Sequence, residues 1–126
     1  MGIIKFFEKH KNLSWIFVLF VALVIFYVSS LTSKQAPQIF SFQSIVYHFI
    51  IFFILAFFLL FAVIQGKKFN FLIIPIAIAL VYAVLDEFHQ LFVPGRACSF
   101  SDFMINSFGI LFAGLIYSFS LKSRKK

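Results

Sequence analysis

Four long apolar runs, broken by short polar stretches, set the pattern of this chain. They cover about residues 13–31 ("LSWIFVLFVALVIFYVSSL"), 43–64, 69–93 and 103–121. Each is close to the roughly 20 residues that an α-helix needs to cross a bilayer core. The breaks carry turn chemistry: "SKQAPQ" (33–38), "QGKKFN" (65–70) with Gly66, and "PG" (94–95). The pattern predicts an all-α protein, a four-helix transmembrane bundle with short loops in a single domain over residues 1–126. Pro75 falls inside the third run and is expected to kink it, because it removes a backbone donor. Ahead of the first run, "IIKFFEKHK" (3–11) reads either as a short amphipathic helix on the membrane surface or as a plain charged flank. No internal repeat or low-complexity linker interrupts the scheme.

Composition makes lipid the expected solvent. The chain has 126 residues, 63% of them hydrophobic and 22 of them phenylalanine, with a mean hydropathy of +1.05. A soluble domain of this size leaves too much surface exposed to hide so much apolar side chain. The net charge of +7 does not point to nucleic acid, because the basic residues sit in short clusters beside the apolar runs, such as "KSRKK" (122–126). Lys5, Lys9, Lys11, Lys67, Lys68, Lys122, Arg124, Lys125 and Lys126 fall on one side of the expected membrane, and only Lys34 and Arg96 on the other. By the positive-inside rule both termini are expected in the cytoplasm, in a multi-pass protein of the cell membrane. Trp15 and Tyr27 suit the two interfaces of the first span. A cleaved signal peptide ending at "VSS" (28–30) is the alternative, but the apolar run exceeds a typical signal core. "MGIIKF" lacks the hydroxyl residue that N-myristoylation requires. The single cysteine, Cys98, excludes an internal disulfide framework.

Against this background "DEFHQLFVPGRACSFSD" (86–102) stands out, since three of the four acidic residues lie in it. At about 1.5 Å per residue, Asp86 lies roughly 26 Å along the third span, near the far edge of a hydrocarbon core about 30 Å thick. The alternating topology brings Asp102 and Asn106 of the fourth span, and His48 of the second, to the same depth. At about 100° per residue, Asp86, His89 and Gln90 share one side of the third helix, with Glu87 at its margin. Asp102, Asn106, Gly109 and Ala113 form a narrow stripe whose small residues admit a neighbouring helix. Charge at this depth is costly, so these groups should face the bundle and be paired, with Arg96 the expected partner of the carboxylates.

Plainer readings compete for the same residues. "SFSD" (99–102) resembles a capping box, with Ser99 as N-cap and Asp102 in the first turn. His48 and Gln90 could simply satisfy neighbours, and the whole cluster could be a structural ion-pair network. "DEFH" sets Asp86 and His89 three apart, and Glu87, His48 or Asp102 could complete a metal site. With no "HExxH" and no structural-zinc spacing, neither a resident metal nor another cofactor is expected. Acid–base chemistry is open to the carboxylates and His89, but no nucleophile elbow or phosphate-binding loop accompanies them, so whether the protein is an enzyme is left open.

The stretch "DEFHQLFVPGRACSFSDFMINSFGILFAG" (86–114) resembles the VanZ-like membrane family: an acidic pair followed by histidine or glutamine, a proline–glycine–arginine turn, then aspartate, asparagine and glycine opening the last helix. "YHFIIFF" (47–53) matches a second family feature, a histidine and an aromatic early in the second span. The likeness covers about residues 40–120. Many members carry an acid–lysine pair just before that histidine, where this chain has Ser44 and Ile45. The resemblance implies a link to antibiotic resistance, against the lipid-tailed glycopeptide teicoplanin.

The expected function is binding or processing of an amphiphilic cell-envelope molecule, with a lipid-linked or phosphorylated headgroup or a lipoglycopeptide as ligand. Asp86, Glu87, His89 and Asp102 would do proton or catalytic work, and His48, Gln90, Arg96 and Asn106 would bind the substrate. Membrane lipids are the expected partners. The alternatives are a small proton-coupled transporter, disfavoured because the acids lie near the rim and not at the midplane, and a structural or partner-binding membrane protein. The charge asymmetry has a direct consequence: a membrane-impermeant maleimide should label Cys98 in intact cells. Labelling only after permeabilisation would invert the orientation.

Overall fold

The computed structural model describes residues 2–36, 41–65 and 69–123. Every regular element among these residues is a helix. α1 (Gly2–Lys9) and α2 (Lys11–Ser30) are followed by α3 (Ser41–Ile64), a 3₁₀ turn (Phe69–Leu72), α4 (Ile73–Gln90) and α5 (Phe100–Ser123). α2 to α5 are long and apolar enough to cross a membrane. Pro37, Gln38, Gly66 and the basic residues Lys67, Lys68, Arg124, Lys125 and Lys126, all used in the sequence reading, lie outside the described residues.

The third span differs in its limits from the apolar run. Pro75 stands third in α4, within the first turn, where the backbone N–H that proline lacks would have no helical acceptor. The proline therefore marks where the helix begins, and no kink forms inside it. The chain ahead of it tightens into the 3₁₀ turn. At the other end α4 stops at Gln90, and three i→i−3 backbone bonds, from Leu91, Phe92 and Val93, carry the chain into the loop. Lys9 and Lys11 flank a break at His10, whose backbone (φ −103°, ψ 62°) bends α1 away from α2.

α3 is the axis of the bundle, as its long run without polar residues after His48 requires. Phe52, Leu55, Ala56, Leu59, Leu60, Phe61 and Ile64 are buried along it, and it packs against α1, α2, α4 and α5. α4 contributes Ala79 and Ala83 to the core, and α5 contributes Ile110, Ala113 and Tyr117. The outer faces carry Phe20, Leu23, Val84, Phe88, Phe108 and Phe119, all exposed, which a lipid environment accommodates and water would not. Tyr82 ties α4 to α2 by donating its hydroxyl to the Ala22 carbonyl, 2.7 Å away.

α1 is a helix, and it folds under the bundle. Phe7 stacks on Phe61 and meets Phe58 and Phe17 edge-on, while the Ser14 hydroxyl donates to the Phe7 carbonyl at 2.8 Å. The Tyr117 hydroxyl donates to the Glu8 carboxylate. The two described ends of the chain thus lie at the same end of the bundle, and residues 31–36 and 91–99 lie at the other.

α3 and α5 approach most closely at Gly109, which faces the α3 backbone: a Cβ built there would strike the Phe49 carbonyl and come within 3.2 Å of the Phe53 nitrogen. Gly114 is tight too, but its Cβ would meet only the tip of the Ile76 side chain, at 2.9 Å. Gly109→Ala should therefore lower thermal stability in detergent by about 1–3 kcal/mol, and Gly114→Ala by clearly less. Equal melting of the two variants would contradict this packing.

Candidate functional site

Loop geometry positions Arg96 at the end of the bundle away from the chain termini. Val93 is buried and anchors the loop. The next residues make a turn in which the Arg96 N–H donates to the Val93 carbonyl at 3.0 Å, with Pro94 and Gly95 at the two central positions. Gly95 has φ 75°, as the third position of a type II turn requires, and a Cβ there would run into the Ser33 side chain. The Ser33 N–H reaches the Pro94 carbonyl at 3.4 Å, so the two connections at this end are in contact.

Glu87 holds the far side of the same loop. Its Oε2 accepts the Ser99 backbone N–H at 2.9 Å. Ser99 in turn caps α5, its Oγ accepting the Asp102 N–H at 3.2 Å and lying 2.8 Å from the Ser101 hydroxyl. The cap reading of "SFSD" therefore holds for Ser99.

α4 spreads its polar residues among three neighbours. His89 turns toward α2, with Nε2 3.0 Å from the Ser30 hydroxyl and its ring stacked on Phe26 at 4.8 Å. Asp86 and Gln90, one turn apart, point to the bundle centre, and the Gln90 amide lies 3.5 Å from Asp86 Oδ2. Glu87 faces the start of α5. Asp86 and His89 both face the end of α2, Asp86 bordering a small void with Ser29 and His89 meeting Ser30, while Gln90 lies beside Asp86.

His48 joins α3 to α5. Its Nδ1 is 3.0 Å from Asn106 Oδ1, and its Nε2 is 3.8 Å from Asp102 Oδ2. The contact with the Asn106 amide engages Nδ1 and leaves Nε2 toward Asp102. Asn106 is fully buried, and its Nδ2 has no hydrogen-bond partner among the described residues.

Above these residues opens a cavity of about 720 Å³, bounded by the end of α2, the first turns of α3 and the Arg96 loop. Ser44, Tyr47, His48, Gln90, Arg96 and Asp102 supply its polar wall, and Val28, Ala36 and Ala97 are among its apolar lining. A void of about 10 Å³ lies beneath it, reaching Ser29 and Asp86. Four of the eight expected site residues thus line the cavity. Asp86 and Asn106 lie behind its wall, while Glu87 and His89 are engaged elsewhere. Ser44 and Tyr47 are not among the expected residues, although Ser44 stands one helical turn before both Tyr47 and His48, at spacings of three and four.

Arg96 departs from the expected pairing. Among the described residues no carboxylate lies within ion-pair distance of it, and its Nε, though buried, has no hydrogen-bond partner. Nor, among those residues, do three His, Cys, Asp or Glu side chains converge as a metal site would need.

The model of the VanZ/LLP1 family matches residues 6–121, a span that includes nearly all of α2 to α5 and the whole polar end. No curated protein and no solved structure matches the chain. The match covers most of the sequence, and the chain belongs to the VanZ/LLP1 family.

Proposed function

We propose that this VanZ/LLP1 family protein uses its polar cavity to bind the headgroup of an amphiphilic cell-envelope molecule, with Arg96 holding an anionic group on it. The observation that carries this reading is the unspent guanidinium. An ion-pair network built only to tie helices together would satisfy its single arginine internally, because a charge buried without a partner is costly. Arg96 instead faces a cavity of about 720 Å³, within the usual 300–1,000 Å³ range of small-molecule sites, and its planar fork suits a phosphate or carboxylate.

The surroundings fit an amphiphile. The cavity wall mixes hydroxyls, an amide and an imidazole with Val28, Ala36 and Ala97. The bundle around it presents apolar side chains to lipid. A ligand with its tail in the bilayer and its headgroup in the cavity meets both conditions. Lipid-linked phosphates and lipid-tailed glycopeptides such as teicoplanin share this form. His48, with Nδ1 fixed by Asn106, offers Nε2 for hydrogen bonding or proton transfer at the bound headgroup. The charge distribution along the sequence supports a cavity on the extracytoplasmic side of the cell membrane.

Binding of dihexanoyl phosphatidic acid by the purified protein in detergent, compared with uncharged dihexanoylglycerol, tests this reading. The phosphorylated amphiphile should bind saturably and the uncharged one should not. Arg96→Gln should weaken binding roughly 10- to 100-fold, the loss of one charge-assisted interaction, with little change in melting temperature. Arg96→Lys should restore only part of it, since an ammonium lacks the bidentate fork. Equal binding by wild type and folded Arg96→Gln would overturn the reading.

A further inference from the structure

We infer that the headgroup taken by this cavity carries both charges, a phosphate for Arg96 and a primary ammonium for Asp102, as in a phosphoethanolamine. The inference rests on the proposed function and narrows its ligand. Arg96 and Asp102 line the same cavity without pairing: no ion pair joins them, and each is left with a face toward the open volume.

The Asp102 carboxylate is as unspent as the guanidinium. His48 Nε2 lies 3.8 Å from its Oδ2, too long for a hydrogen bond, and the other nitrogen of that ring is committed to Asn106. The cap contact from Ser99 reaches the backbone N–H of Asp102 and not its side chain. Among the described residues, nothing donates to the carboxylate oxygens.

Charge balance then selects the ligand. A simple anion would neutralise Arg96 but leave Asp102 bare and be repelled by it, with Asp86 adding to the repulsion from beneath the cavity floor. A simple cation would leave Arg96 bare. A headgroup with one charge of each sign satisfies both walls at once. A primary ammonium adds three N–H donors, which a carboxylate lacking donors can use and a methylated amine cannot supply. Among the residues that line the cavity, Arg96 is the one permanently cationic side chain.

The test compares dihexanoyl phosphatidylethanolamine, dihexanoyl phosphatidic acid, dihexanoylglycerol and soluble O-phosphoethanolamine for binding to the full chain in detergent. Wild type should prefer the ethanolamine lipid over the acid by roughly tenfold or more, the effect of one charge-assisted hydrogen bond. Asp102→Asn should erase that preference without weakening the acid, and Arg96→Gln should weaken both lipids. Displacement of the lipid by O-phosphoethanolamine supports the proposal with the free headgroup as ligand. Ethanolamine-lipid binding without such displacement supports it with the intact lipid. Phosphatidic acid binding as tightly as the ethanolamine lipid in wild type overturns the inference while leaving the anionic reading intact. Failure of every phosphorylated compound to exceed dihexanoylglycerol overturns both. The wild-type comparison decides the matter even if Asp102→Asn does not fold.

Discussion

The contact between Gly109 and the Phe49 backbone sets the geometry on which the polar end depends. It lets α5 lie against α3 with no side chain between them. Asn106, one turn before that glycine, thereby comes level with His48, the residue before Phe49, and the 3.0 Å contact between them follows. A wider helix crossing would part the imidazole from the amide and carry Asp102 further from both. The small-residue stripe on α5 is thus more than a packing convenience, because it fixes the back wall of the cavity.

Lipid explains why the polar groups gather at one end. Each buried donor or acceptor in a bilayer needs a partner from within the protein, so polar residues are tolerable where several helices and a loop can supply one another. Here Glu87 spends its charge on the backbone of the Arg96 loop, Ser99 caps α5, and His89 is held by Ser30 and Phe26. Those contacts are structural. Among the groups they leave over are an arginine and an aspartate that line one cavity, and the proposed binding chemistry rests on those two.

Much of this was legible in the sequence, for identifiable reasons. The four spans follow from long apolar runs, of which only the third carries charged residues, Asp86 and Glu87 near its end, and the common depth of His48, Asp86, Arg96, Asp102 and Asn106 follows from an alternating topology. The start of α4 was misplaced because a proline in the first turn looks, in sequence, like one inside a helix. Side-chain partners were harder to read. Asp86 and Glu87 are neighbours in the chain but about 100° apart around the helix, enough to send one to the bundle centre and the other to the loop. His89 and Asp86 share a side of α4, and both meet the end of α2, at Ser30 and beside Ser29. Ser44 and Tyr47 escaped attention because a serine and a tyrosine in an apolar helix carry no charge to mark them. The expected pairing of Arg96 with a carboxylate is not formed: Glu87, the natural candidate, turns its Oε2 to the Ser99 backbone N–H, and its buried Oε1 has no hydrogen-bond partner among the described residues.

An open cavity is the central claim, and cysteine accessibility tests it most directly. In a Cys98→Ser background, a cysteine at Ser44 lies on the cavity wall, while one at Leu85 lies on the lipid-facing side of α4. A charged, water-soluble methanethiosulfonate should modify the cysteine at position 44 readily and leave the one at position 85 unmodified. If position 44 is as inert as position 85 in the folded protein, no open polar cavity exists at this end of the bundle, and the polar cluster is a structural tie.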